Sequence, residues 1–154
     1  MMKIAIGSDH FGFALKEDLK RYLVELGFEP VDFGCYDADT PVDYPDVGSE
    51  LAHRVAGGEF DRGILVCGTG IGMSIVANKI PGVRAACCHD VYSAERARKS
   101  NNAQIMTMGS QVITPLLARK LLAIWIDSEF EGGRSAPKVA KIIAIEQQHP
   151  HKTD

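Results

Sequence analysis

Apolar and β-branched residues gather in short runs, separated by longer stretches whose apolar positions repeat with a helical period. The first run, KIAIGS (residues 3–8), ends at Ser-Asp-His and predicts a buried strand. Leu15, Leu19, Tyr22, Leu23 and Leu26 then recur at helical spacing, and Gly27 stands where a helix often ends on a left-handed residue. Val31 to Phe33 predict a second short strand, and DADTPVDYPD (37–46), with two prolines, predicts a loop. Leu51 and Val55, stopped by Gly57 and Gly58, predict a second helix. RGILVC (62–67) is apolar through its centre, as an inner strand of a parallel sheet covered on both faces should be. It runs directly into GTGIGMSIVANK, and strand-like stretches return at VRAACC (83–88) and QIMTMG (104–109).

Five strand–helix alternations at this spacing predict a Rossmann-like three-layer α/β/α sandwich around a five-stranded, mostly parallel sheet. One domain is expected over residues 1–148. Its last helix, 135–148, is expected to touch a partner subunit, and a flexible tail should follow over 149–154, whose His149 and His151 receive no role. The segment LLARKLLAIWI (116–126) is apolar on nearly all sides after Lys120, which predicts a subunit interface there. A homodimer is the minimum expectation, and a homotetramer stays open.

Composition narrows the classes. The 154 residues are 45% apolar and 24% charged, with a net charge of −3, and a chain this long buries roughly 70% of its unfolded surface without help from disulfides or metal. The slightly acidic balance offers no field for nucleic acid. The chain has no apolar run long enough to cross a membrane, and MMKIAIGSDH is unlike a secretory leader, so a soluble, cytoplasmic protein is expected. Cys35, Cys67, Cys87 and Cys88 form no C-x-x-C pair, which speaks against a disulfide framework or zinc site.

In open parallel sheets ligands bind beyond the carboxyl ends of the strands. That rule selects Ser8-Asp9-His10, the CGTGIG loop (67–72) and His89-Asp90. Three glycines in five residues let backbone N–H groups converge on an anion at the start of a helix. Three familiar glycine loops do not fit: a nucleotide P-loop requires a Lys this loop lacks, a dinucleotide fingerprint requires Gly or Ala at Met73, and a phosphatase loop requires Arg there. What remains is a cysteine at a strand end followed by an anion cradle. A helix N-terminus favours a thiolate, so Cys67 is read as a proton-transferring or nucleophilic group, while Cys87 and Cys88 are assigned to packing and Cys35 to a loop. His10 is a candidate anion ligand, and Arg134 and Lys138, after a glycine turn, are candidate cations for a phosphate.

The strings MKIAIGSDHFGFALK, VDYP, GILVCGTGIGMSIVANKIPGVRAA, YSAERARKSNNAQIMTMGS and EFEGGR resemble, in order and spacing, the ribose-5-phosphate isomerase B / galactose-6-phosphate isomerase family, from Met2 to about Glu146. The resemblance implies an aldose–ketose isomerase without metal or cofactor, acting on sugar phosphates through a cis-enediolate. It implies that Cys67 is the base, and that Thr69 and the amides of Gly68, Gly70, Ile71 and Gly72 hold the enediolate oxygen. Asp9, His10 and Asn101 would contact substrate, and Arg134 would reach the phosphate across a dimer interface, with Lys138 beside it. The roles of Tyr44 and His89 stay open.

Three positions depart from the family pattern. Ser100 stands where a ring-opening histidine is expected, Gln111 in place of a phosphate-binding arginine, and Lys138 in place of a second arginine. Serine cannot exchange a proton near neutrality as imidazole does. Either His10 or His89 opens a ribose 5-phosphate ring, or the substrate needs no opening. A tetrose 4-phosphate such as the erythrose/erythrulose pair is of the second kind, and a hexose 6-phosphate is a further alternative. A non-catalytic phosphosugar-binding module and a nicotinamide-dependent oxidoreductase are the rivals from other classes.

Overall fold

The apolar runs become strands because both of their faces are covered. The computed structural model describes residues 1–149 and contains β1 (Ile4–Ser8), β2 (Val31–Asp32), β3 (Arg62–Cys67), β4 (Ala85–Cys87) and β5 (Ile105–Gly109). Between and after them lie α1 (Phe13–Glu25), α2 (Tyr44–Ala56), α3 (Ile71–Asn78), α4 (Val91–Lys99) and α5 (Pro115–Asp127), and a 3-10 turn at Gly133–Ser135 leads into α6 (Ala136–Gln148). Every residue of β1, β3 and β5 is buried. Ile4, Ile6, Ile64, Val66, Met106 and Met108 pack in the layer of α1, α4 and α5, whereas Ala5, Leu65, Cys67 and Ile105 pack in that of α2 and α3. The alternation is the period-two geometry of a strand.

The sheet order is β2-β1-β3-β5-β4, and every neighbouring pair is parallel. The chain leaves β1 for β2 on one side and returns to β3 on the other. That reversal opens a crevice beyond the carboxyl ends of β1 and β3.

Lys16 on α1 is fully buried, and its Nζ donates to Asp32 at 2.8 Å and to the Cys35 carbonyl. Lys20 reaches the same carboxylate at 2.7 Å. Burial pushes Asp32 up, but the two ammonium groups and the Gly34 N–H outweigh it and hold the carboxyl below its ordinary range. The cluster ties α1 to the strand beside it and to the loop that follows.

The apolar residues of α5 are covered largely within the chain. Ala118, Leu121, Leu122, Trp125 and Ile126 are buried inside the chain, in a cluster with Leu15, Leu19, Ala94 and Ala97. Within the chain the apolar neighbours of α5 are therefore α1 and α4, while Leu116 in its first turn stays exposed. α6 presents an apolar face to the outside: it buries Val139 and exposes Ile142, Ile143 and Ile145. No helix among the described residues is long and apolar enough to cross a membrane. Beyond His149, the tail expected over 149–154 lies outside the described residues.

Candidate active site

The CGTGIG loop is laid backbone to backbone on the end of β5. Gly70 has φ +78°, and a Cβ there would lie 2.8 Å from the Met108 backbone; a Cβ on Gly109 would lie 2.6 Å from that of Thr69. Only glycine permits both the left-handed turn and the close approach. Thr107 Oγ1 donates to the Gly70 carbonyl at 2.7 Å. Ser110 N–H donates to the Cys67 carbonyl at 2.9 Å, and Gln111 N–H to that of Gly68 at 3.0 Å.

Cys67 is only 4% exposed and belongs to the apolar cluster beneath α2 and α3. It nevertheless borders a cavity of about 460 Å³ at the crevice. Its Sγ accepts the Gly70 N–H at 3.1 Å, which holds the sulfur at the cavity floor. Thr69 Oγ1 accepts the Ile71 N–H at 3.2 Å, leaving its hydroxyl hydrogen free to donate. Two of the loop amides thus serve the loop itself. The N–H groups of Gly68 and Gly72 have no acceptor among the described residues, so they are the donors open to a ligand at this helix start.

Around this floor stand Asp9, Tyr44 and Gln111. Asp9 is 4% exposed, and its Oδ1 accepts the Gly12 N–H at 2.9 Å, fixing the carboxylate at the entry to α1. Tyr44 opens α2, and its ring lies so close over Gly72 that a Cβ there would come within 2.6 Å of it. Gln111 lies over Gly68. Phe11 and Ile75 complete the apolar rim. Sequence reasoning missed both; the available signal was the spacing of Ile71 and Ile75, one helical turn apart, opposite the buried Met73 and Ala77.

Other sequence candidates fall outside this cavity. His10 turns its Nδ1 to the Val42 N–H at 3.1 Å and packs its ring on Phe11, with centroids 4.4 Å apart; the ring hydrogen therefore sits on Nε2. His89 accepts the Gly109 N–H through Nε2 at 2.9 Å. Burial pushes the His89 imidazole down, and the nearby Asp90 carboxylate opposes that. Ser100 closes α4, its N–H bound to the Arg96 carbonyl at 2.8 Å. Asn101 borders a separate cavity with Arg84 and Ile142.

Arg134, in the 3-10 turn, and Lys138, in the first turn of α6, are exposed. Among the described residues, no Lys or Arg lines the cavity that holds Cys67. The segment leading to Arg134 is nevertheless firmly pinned. Arg62 and Arg98 both pair with Glu129, at 3.0 and 3.6 Å, and Arg96 pairs with Glu131 at 3.4 Å. Cys87 corrects an expectation: it is exposed, with Sγ 3.8 Å from the Thr69 carbonyl, because α3 and α4 leave this edge of the sheet uncovered. Cys88 is packed as expected, and burial pushes its thiol up to about 12. Cys35 lies in a loop yet is buried.

Residues 4–142 match the family model described as Ribose/Galactose Isomerase. A D-erythrulose-4-phosphate isomerase of Pectobacterium atrosepticum is 53% identical, over 99% of this chain and 100% of that protein. A ribose-5-P isomerase B of Listeria innocua is 54% identical, over 96% and 99%. The solved structure of Clostridium thermocellum ribose-5-phosphate isomerase B superposes with a TM-score of 0.94 at 46% identity, covering 97% of this chain and 100% of that one.

Proposed function

The chain belongs to the ribose/galactose isomerase family, and from that premise we propose that it is an aldose–ketose isomerase interconverting ribose 5-phosphate and ribulose 5-phosphate. The observation that carries this is a recessed sulfur beside unpaired backbone donors at one cavity floor: Cys67 Sγ with the Gly68 and Gly72 amides. Cys67 takes the C2 proton of the open-chain aldose and returns it at C1, while the hydroxyl hydrogen at O2 passes to O1. One carbon is oxidised as its neighbour is reduced, so no external redox partner is consumed. The Thr69 hydroxyl and the free amides meet the oxygen that gains charge only along the reaction path, which favours the transition state over the ground state. Asp9, fixed at the rim, orients a sugar hydroxyl.

The phosphate requires cations, and the described residues of a single protomer place none at the cavity. We assign that role to Arg134 and Lys138 of a second copy, with Asn101 beside them, which makes a homodimer the working unit. The exposed apolar face of α6 supports the same arrangement.

A specific observation favours a second substrate. Both candidate ring openers use a ring nitrogen to accept a backbone N–H, His10 from Val42 and His89 from Gly109, and neither lines the cavity. A tetrose 4-phosphate, which cannot close a furanose, needs no such group. The deciding measurement is kcat/KM for ribose 5-phosphate, erythrose 4-phosphate and galactose 6-phosphate, on wild type and Cys67→Ala. Cys67→Ala should lose at least about 100-fold in kcat while remaining folded, with only a modest fall in its thermal transition from the lost buried sulfur. A tetrose preference would replace the pentose as substrate. Binding without incorporation of solvent deuterium at C1 or C2 would leave a sugar-phosphate-binding module instead.

A further inference from the structure

At one corner the sheet loses a strand before its neighbour has ended. β4 stops at Cys87, level with Thr107, while β5 continues to Gly109. The Cys88 N–H still donates to the Thr107 carbonyl at 3.0 Å. Two residues further on, the Gly109 N–H faces the same side, where no strand carbonyl remains. Nε2 of His89 fills that place, accepting the Gly109 N–H at 2.9 Å. Gly109 lies opposite Cys67 in the β3·β5 register and presses directly on the Thr69 backbone. The next two residues donate to the carbonyls of Cys67 and Gly68.

We propose that His89 is a positioning residue of this site: its imidazole caps the open end of β5 and so holds the turn on which Cys67, Gly68 and Thr69 rest. The catalytic part of this statement depends on Cys67 being the base; the structural part does not. To accept, Nε2 must carry no proton, so the ring hydrogen resides on Nδ1. Burial supports that form, and Asp90 is the charged group that acts against it. Burial pushes the adjacent Cys88 thiol up, so it is neutral wherever the imidazole titrates, and the β5 turn contributes only the uncharged Ser110 and Gln111. A protonated ring would present a second donor to the Gly109 N–H, and the bond would be lost.

The test compares His89→Leu, which has no acceptor, with His89→Gln, whose carboxamide oxygen reaches about as far as Nε2. The Leu variant should lose 5- to 30-fold in kcat with KM within twofold, and the Gln variant should recover at least half of wild-type kcat. By NMR, the Gly109 amide should titrate together with the His89 ring in wild type, be indifferent to pH in this range in the Gln variant, and exchange at least tenfold faster in the Leu variant. Wild-type kcat in the Leu variant, equal losses in both variants, or a Gly109 amide indifferent to residue 89 would each overturn the proposal. If the Leu variant does not fold, His89→Asn, one methylene short of reaching, replaces it in the same contrast. If wild type turns over none of the sugar phosphates, the isomerase reading fails, and the amide measurements still decide whether His89 holds the loop.

Discussion

Gly70 carries two demands at once, a left-handed backbone at φ +78° and a Cα lodged against Met108. Gly70→Ala should therefore cost about 1–2 kcal/mol of stability from the backbone conformation alone. It should also lower kcat more than tenfold, since the Gly70 amide that holds Cys67 Sγ has to move; urea unfolding and steady-state kinetics measure the two effects separately. Residues of this kind were legible in the sequence because the chemistry sits in the residue type: a cysteine at a strand end and three closely spaced glycines admit few uses. His10 was less legible. Its Nδ1 is occupied by the amide of Val42, 32 residues away, and no local pattern announces a partner so distant. Cys87 failed for a related reason, since β4 is an edge strand and the sequence does not say which edge lacks a covering helix.

At the level of elements, alternation and length were enough to recover all five strands, although β4 is shorter than the VRAACC stretch suggested. What pattern alone could not settle was which surface covers an all-round apolar helix. α5 looked like an interface because its apolar residues exceed one face, and α1 and α4 flank it and take up most of the excess, leaving Leu116 exposed. Ion pairs between elements were equally hidden. Lys16 reads as a surface residue of an amphipathic helix, whereas it is buried against Asp32. Lys16→Met removes the buried one of the two ammonium partners while Lys20 and the Gly34 N–H still hold the Asp32 carboxylate, so it should cost about 1–3 kcal/mol at neutral pH. The acid side follows from Asp32, whose carboxyl is held below its ordinary 3.8. On acidification the unfolded chain takes up this proton first; the contribution is complete above about 3.8 and is lost as pH falls through the lower folded value. The stability curve of Lys16→Met should consequently be flatter across that acid window, as urea midpoints measured at successive pH values would show.

For the whole molecule, the division of the proposed site between two copies makes a sharp demand. Cys67→Ala and Arg134→Ala chains should each be inactive alone. After mixing and subunit exchange in equal amounts, about a quarter of wild-type activity should return, because half the dimers are mixed and each of those has one intact site. No recovery, with exchange verified by mass spectrometry, would place both residues in the site of one chain. Charge introduced on the exposed face of α6, as in Ile142→Glu with Ile143→Glu, should produce monomers by light scattering and abolish turnover.

The outermost strands have a separate consequence. β2 has two residues and β4 three, so almost no unpaired peptide groups are displayed in line along either margin of the sheet. Another polypeptide has little main chain to add itself to, which guards against open-ended stacking of strands into fibres. Any copy that associates with this one must do so through side chains on helices and loops, where recognition depends on shape and charge and self-limiting pairs are favoured over endless assemblies.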